Sequence, residues 1–314
     1  MLLLIERRSH PATAPPAQAL TQFPARKTRT CRKRAYGGRI DPMKIRVATY
    51  NIHKGVSAIR SQPRVHALKQ AIGLFAADVV FLQEVQGRHD RNAAQYGAEH
   101  HGHKHWPETA QHEFFAGEAL HAAYGMNAVY DHGHHGNALL SAYPIAQSRN
   151  HDVSDHAYEQ RGILHCEIDT PKGTVHCYVV HLGLFAGGRG RQTAALIEAV
   201  KASAPNGEPV IIAGDFNDWR DTLGDKLRQA LGVVEVFEQI GDTTTLSELV
   251  RTLGRRHKPG ASTAARTFPA ALPFFRLDRI YVRGFQVDNA EVMHGTLWAR
   301  LSDHAPIVAE LKLA

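Results

Sequence analysis

What most constrains this chain is how its apolar runs end. Six strand-length stretches rich in Val, Ile, Phe and Tyr lead into, or out of, amides, carboxylates or imidazoles. Ile45–Tyr50 ends in Asn51-Ile52-His53, and Val79–Leu82 ends in Gln83-Glu84. Cys177–Val180 ends in His181, and Val210–Ala213 ends in Gly214-Asp215-Phe216-Asn217-Asp218. Leu277-Asp278-Arg279 opens another apolar run, and Ser302-Asp303-His304-Ala305-Pro306 precedes the last one. A carboxylate at the end of a buried strand carries a desolvation cost unless it is paired or binds a cation. Several carboxylates share one site only if positive charge offsets their repulsion.

Oxygen donors from Glu84, Asn51, Asp303 and Asp215 suit a hard divalent ion, Mg²⁺ or Mn²⁺. Such an ion keeps waters and accepts substrate phosphate oxygens as ligands, the layout of a metal-assisted hydrolase. Each piece alone has an ordinary structural reading. Gly214–Asn217 is also a turn composition, Glu84 also suits a helix cap, and a lone His181 also suits a satisfied core histidine. The order and context of all six together favour the chemical reading.

Strand patterns recur at 45–51, 78–83, 126–130, 137–141, 162–168, 175–181, 210–214, 277–282 and 306–312. Thr170-Pro171-Lys172-Gly173 reads as a hairpin turn. Helical patterns fall at about 64–76, 108–122, 190–203 and 221–231. Many strands and fewer helices predict sheets packed on each other and covered by helices. Residues 43–314 read as one domain without linker or repeat. Residues 1–42 read as a disordered basic extension, with five prolines, nine Lys/Arg and two acids. Met43 directly precedes the first strand and is an alternative start. The net charge of +7 resides in that extension, because the body holds equal numbers of basic and acidic residues. A bulk basic surface for nucleic acid is therefore not evident in the body, although a local groove is compatible with it. Three cysteines cannot form a disulfide framework and suit a reducing compartment. The opening apolar run is too short for a secretory leader, so a cytoplasmic location is expected.

The motifs TYNIH, LQEV, GNALLS, VVHLGL, GDFND, RLDRIYV and SDHAPI, in this order, resemble the endonuclease/exonuclease/phosphatase superfamily, the DNase I-like fold. The resemblance covers nearly all of 43–314. It implies an α/β fold, a four-layer α/β/β/α sandwich of two packed mixed sheets. It also implies hydrolysis of a phosphodiester or phosphomonoester with Mg²⁺ or Mn²⁺. By resemblance, Glu84 is the main metal ligand, with Asn51 and Asp303 beside it. Asp215 deprotonates the attacking water, and Asn217 holds the water or the phosphate. His304, paired to Asp278, stabilises the phosphorane or protonates the leaving oxygen, and His181 donates to a phosphate oxygen. Arg161, Asn137, His53 and His135 are the expected substrate contacts. His53, His181 and Leu184 depart from the abasic-site endonuclease branch. The pair His181 and Leu184 looks more like DNase I, sphingomyelinases and phosphoinositide phosphatases. The expected partner is a phosphoester, either nucleic acid or a lipid or small molecule. No obligate protein partner is evident, and a monomer is expected.

Two further features stand out. Ten of the 21 histidines lie in 89–135; their spacing matches no zinc pattern, and a solvated histidine-rich loop is expected. Phe268-Pro269-Ala270-Ala271-Leu272-Pro273-Phe274-Phe275 directly precedes Arg276-Leu277-Asp278. It reads either as core or as an apolar wedge for unstacked bases or lipid.

Overall fold

Alternation along β1 (Lys44–Asn51) shows how the layers arise. Ile45 and Val47 enter one apolar cluster, while Ala48 and Tyr50 enter another on the opposite face. The computed structural model describes residues 43–57, 62–97, 105–155, 159–205, 207–241 and 265–313. The extension 1–42 and its alternative start at Met43 concern residues that lie outside this set, apart from Met43 itself.

The first sheet contains β1, β2 (Val79–His89), β3 (His121–Tyr130), β4 (Gly133–Ser141), β11 (Phe285–Val292) and β12 (Ile307–Leu313). Its six strands run in the order β11-β12-β1-β2-β4-β3. The second sheet contains β5 (Ile145–Asp152), β6 (Gly162–Thr170), β7 (Gly173–His181), β8 (Val210–Asp215), β9 (Val234–Glu235) and β10 (Asp278–Arg283). Its six strands run in the order β5-β6-β7-β8-β10-β9. Both sheets are mixed in the same way. A central parallel pair, β1–β2 or β7–β8, is flanked by antiparallel neighbours. The parallel strands are buried on both faces, as this arrangement requires.

Facing side chains of the two sheets, among them Val47, Phe81, Leu139, Leu164, Val179 and Ile280, form the inner cluster. Helices α1 (Val65–Leu74) and α3 (Gln111–Ala116), with Trp298, cover the outer face of the first sheet. Helices α4 (Ala186–Ser203) and α5 (Gly224–Leu231) cover the second. The result is the four-layer α/β/β/α sandwich.

The nine expected strands are all present, with shifted ends, and Thr170 pairs with Gly173 across the expected turn. The expected helix at 108–122 is a correction. It is confined to α3, because Gly117 leaves helical backbone at φ 54° and residues from His121 onward pair with β4. Strands β5 and β11 were not expected; β11 alternates only briefly, at Phe285 and Val287, and β5 carries no apolar alternation. Most of the side chains of β5 face solvent. The short elements α2 (Asp90–Tyr96), β9, α6 (Val236–Gly241) and the helix Thr296–Leu301 were likewise not expected.

Candidate active site

The C-terminal ends of the two parallel pairs meet at one edge of the sandwich. Asn51 ends β1, and its Nδ2 donates to Asp215 Oδ2 at the end of β8 (3.2 Å) and to Glu84 Oε1 in β2 (3.4 Å). One amide thus joins a carboxylate from each sheet. The backbone of Glu84 is left-handed at φ 56°, inside a break of β2–β4 register between Leu82 and Val85. The extra residue is a bulge that re-aims Glu84 toward the site. Such a backbone costs about 1–3 kcal/mol and persists only where the surroundings enforce it. His53, Lys54 and Asn217 also have positive φ.

On the first sheet, Lys54 Nζ lies 3.3 Å from Glu84 Oε2. Burial pushes the Glu84 carboxyl up, but His181, Lys54, His53 and His135 together pull it down to about 2. His53 Nδ1 lies 3.2 Å from Asp303 Oδ1, and this contact raises the His53 pKa. The His53 backbone N–H donates to Asn51 Oδ1 (3.1 Å). Ser302 Oγ donates to the Asn51 carbonyl (2.7 Å) and lies 3.3 Å from Asp303 Oδ1, tying the loop before β12 to the end of β1.

On the second sheet, Asp215 is buried, and burial pushes its carboxyl up to about 7 despite the His304 charge. Asn217 N–H donates to its Oδ1 (2.9 Å), and Asn217 Nδ2 donates to the Leu182 carbonyl (2.8 Å). Asp278 faces Asp215 in register across β8–β10. Its Oδ2 lies 2.8 Å from His304 Nδ1, and His304 Nε2 lies 3.8 Å from Asp215 Oδ2. Burial opposes charge on His304, but Asp278 and Asp215 overcome it and raise the pKa to about 10. A charged His304 offsets the repulsion between these two carboxylates. Phe268 packs on the His304 ring at 4.9 Å. His181 Nε2 lies 3.5 Å from Asp215 Oδ2. Burial, then Arg161, holds His181 well below its usual range and hence neutral.

The expected residues divide into three groups. Asn51, Glu84, His181, Asp215, Asn217, Asp278 and His304 form one linked cluster, with Asp303 and His53 joined to it through Asn51 and Ser302. Arg161 and His135 face the cluster. Arg161 is paired weakly with Glu159 at 3.4 Å, and burial and Lys54 push His135 down to about 4. Asn137 stands apart from the expected role. It is fully buried, and its Nδ2 donates to Gly162 O (2.8 Å) and Val179 O (3.3 Å) on the second sheet. Its donors tie the sheets together and are not free for a substrate. The histidines of 89–135 that are described do not form a solvated loop. His89 lies in β2, His134 and His135 in β4, and His112 stacks on Tyr124 at 4.7 Å. His100, His101 and His103 lie outside the described residues. Lys54 and Ser302 escaped sequence reasoning; the signal available was only their adjacency to Asn51 and Asp303.

The Glu84 and Asp303 carboxylates are the donor type a hard cation takes, although Asn51 here turns Nδ2 to Glu84 and Oδ1 to the His53 N–H. The Lys54 ammonium already stands as the positive partner of Glu84.

The model of the Endonuclease/Exonuclease/phosphatase family matches residues 48–304. The uncharacterized protein YbhP of Escherichia coli K12 is 40% identical over 271 residues, covering 85% of this chain and 96% of YbhP. A family protein of Bacteroides vulgatus superposes with a TM-score of 0.60 at 16% identity, covering 87% of this chain and 100% of that one. TDP2 of D. rerio, complexed with a single-strand DNA product, superposes with a TM-score of 0.58 at 19% identity, covering 86% of this chain and 99% of that one. The last two likenesses concern the fold, whereas the match over 48–304 and the YbhP identity establish descent: this chain belongs to the endonuclease/exonuclease/phosphatase family.

Proposed function

We propose that this phosphoester hydrolase of the endonuclease/exonuclease/phosphatase family is a phosphodiesterase that uses Mg²⁺ or Mn²⁺ and water. One observation carries the reading: two carboxylates joined by the Asn51 amide are pushed in opposite directions, Glu84 to about 2 and Asp215 to about 7. Opposed pKa values of this kind separate a permanent anion from a proton acceptor. A divalent cation bound by Glu84, with Asn51 and Asp303, would supply Lewis-acid polarisation of a phosphoryl oxygen. Asp215 takes the proton of the attacking water at Oδ2, while Asn217 N–H and Asn51 Nδ2 hold the carboxylate in orientation. His304, kept charged by Asp278, donates from Nε2 to the phosphorane or the leaving oxygen. Neutral His181 donates from Nε2, and Arg161 adds positive charge beside it.

Hydrolysis of bis-p-nitrophenyl phosphate and p-nitrophenyl phosphate, with Mg²⁺, Mn²⁺ or EDTA, tests this. Diester cleavage that needs metal and vanishes in Glu84→Ala and His304→Ala is expected. Turnover surviving EDTA, or either substitution, defeats it.

A nucleic-acid strand is the first diester to try. Lys54 beside Glu84 and Arg161 near His181 offer cations for a phosphate backbone, and the D. rerio TDP2 complex holds such a strand. A second reading, a lipid-headgroup diester, is favoured by the rim. Phe185 (68% exposed), Trp219 (47%), Leu272 (64%) and Phe274 (59%) project from three loops that adjoin His181, Asn217 and Asp278 in sequence. Arg189 steadies two of these loops, donating to Leu184 O at 2.6 Å and lying 5.4 Å from the Trp219 ring. Cleavage that falls steeply with salt supports the strand. Cleavage of phospholipid vesicles, reduced in Leu272→Ser/Phe274→Ser with diester turnover unchanged, supports the lipid. A cytoplasmic location is supported by Cys166 and Cys177, which are cross-strand neighbours and both free thiols. No helix among the described residues is long and apolar enough to cross a membrane.

A further inference from the structure

The second sheet carries another group of ionisable side chains, away from the catalytic edge. His165 and Glu167 lie two residues apart on β6 and therefore on one face. His176 of β7 is the cross-strand partner of Glu167, and Tyr178 is the partner of His165. Both imidazoles are buried, yet His165 Nε2 and His176 Nδ1 stand only 3.0 Å apart. A Glu167 carboxylate oxygen completes a group whose three donor atoms all lie within 4.8 Å of one another. Tyr178 stacks on His165 at 4.4 Å and 7°, fixing its ring plane. His176 presents its other nitrogen, Nε2, to Glu208 Oε2 at 2.8 Å. No side chain among the described residues hydrogen-bonds the Glu167 carboxylate. Nearby on β5, His151 keeps a buried Nε2 without a partner among the described residues, its ring 6.5 Å from that of His165.

We propose that His165, Glu167 and His176 form a zinc site, oriented from outside by Glu208 and separate from the catalytic cation. Two imidazole nitrogens and one carboxylate oxygen are a donor set for zinc rather than magnesium. In a tetrahedral site two nitrogens at 2.0–2.1 Å from zinc stand about 3.4 Å apart. The observed 3.0 Å therefore needs to open by about 0.4 Å, within side-chain reach. Glu208 on His176 Nε2 is the carboxylate–imidazole support that metal-bound histidines commonly carry, and it leaves Nδ1 as the lone pair facing His165. As the ion enters, neutral His165 exchanges its Nε2 proton for one at Nδ1, a change of tautomer that leaves both rings as neutral imidazole ligands. Water would complete the fourth position. His176 lies five residues before His181 on β7, about 16 Å away at strand rise. The ion would clamp β6, β7 and the segment leading into β8.

The test uses the full chain, stripped of metal and then given zinc in millimolar Mg²⁺, which favours the oxygen-lined catalytic site. One zinc equivalent, measured by competition with a chromogenic chelator, is expected in wild type and in Glu84→Gln. X-ray absorption is expected to show two imidazole nitrogens at about 2.0 Å. His165→Ala and His176→Ala lose the equivalent, and Glu208→Gln weakens it about tenfold. Zinc raises the melting temperature of wild type and not of His176→Ala. Absence of the equivalent in wild type overturns the proposal, as does its persistence in folded His165→Ala and His176→Ala. Where circular dichroism shows that those two fail to fold, Glu167→Gln decides: loss of about tenfold in affinity is expected, and unchanged affinity overturns the site. A zinc equivalent that disappears in Glu84→Gln belongs to the catalytic edge and also overturns it.

Discussion

The two sheets share a strand order and meet at one edge, yet they hand the site opposite kinds of carboxylate. The first sheet presents Glu84 from a bulge, next to the Lys54 ammonium and three imidazoles, and the carboxyl sits at about 2. The second presents Asp215 from the regular end of β8, fully enclosed, and the carboxyl rises to about 7. The difference lies in the neighbours, not in the residue type. A buried position ringed by cationic neighbours makes a constant anion, whereas an enclosed position beside Asp278 makes a proton acceptor poised near neutrality.

The sharpest break of that contrast is to neutralise each acid in turn. Asp215→Asn is expected to lower kcat on the diester by about 10³–10⁴-fold at any metal concentration. Glu84→Gln is expected to lose activity by about 10²–10³-fold, with part recovered at high Mn²⁺, because a ligand rather than the base is lost. Recovery of Asp215→Asn by metal, or none in Glu84→Gln, inverts the assignment. Asp278→Asn comes next, with about 10²-fold loss and an unchanged circular dichroism spectrum, since it removes the anion that keeps His304 charged.

The pH profile sharpens the same contrast. Asp215 must be ionised to accept a proton, so activity rises with pH through about 7. His304 must stay charged, so activity falls only above about 10, and Asp278→Asn brings that limb down. Glu84 remains ionised throughout. Stability follows with the opposite sign. Between about 4 and 7 the folded chain keeps the Asp215 proton that the unfolded chain has released, so this group costs stability as pH rises. In EDTA, the melting temperature of Asp215→Asn relative to wild type is expected to climb from pH 5 to pH 8; a constant difference contradicts the buried-acid account. The smallest effect is that of Lys54→Gln. It leaves Glu84 ionised and is expected to change the metal requirement by about fivefold or less at low salt, as partly exposed ion pairs do.

Much of this was legible because function sits where apolar runs stop. Val79–Leu82 and Val210–Ala213 announce buried strands, and the acids that follow them stand out against that background. Asp278 and His304 were legible as a pair only through the family motifs, since 26 residues separate them and no local rule joins them. Lys54 was not legible, because its reach to Glu84 depends on the turn His53–Gly55 and on the Glu84 bulge together. Asn137 misled for the opposite reason. Its motif position is right for the family, but the structure spends its amide on Gly162 and Val179. The edge strand β5 was hidden because nearly all its side chains face solvent on both sides, which leaves no apolar alternation to read.

Asn137 has a wider consequence. It spans from one sheet to backbone carbonyls of the other, Asn51 spans at the rim to the Asp215 carboxylate, and the reacting groups are divided between the same two sheets. Sliding one sheet over the other by an ångström would leave the apolar interior in contact while separating Glu84 from Asp215. Turnover is thus a finer gauge of alignment than any spectroscopic measure of folding. On warming, catalysis should fade reversibly before the far-ultraviolet signal moves, and Asn137→Ala should widen that interval.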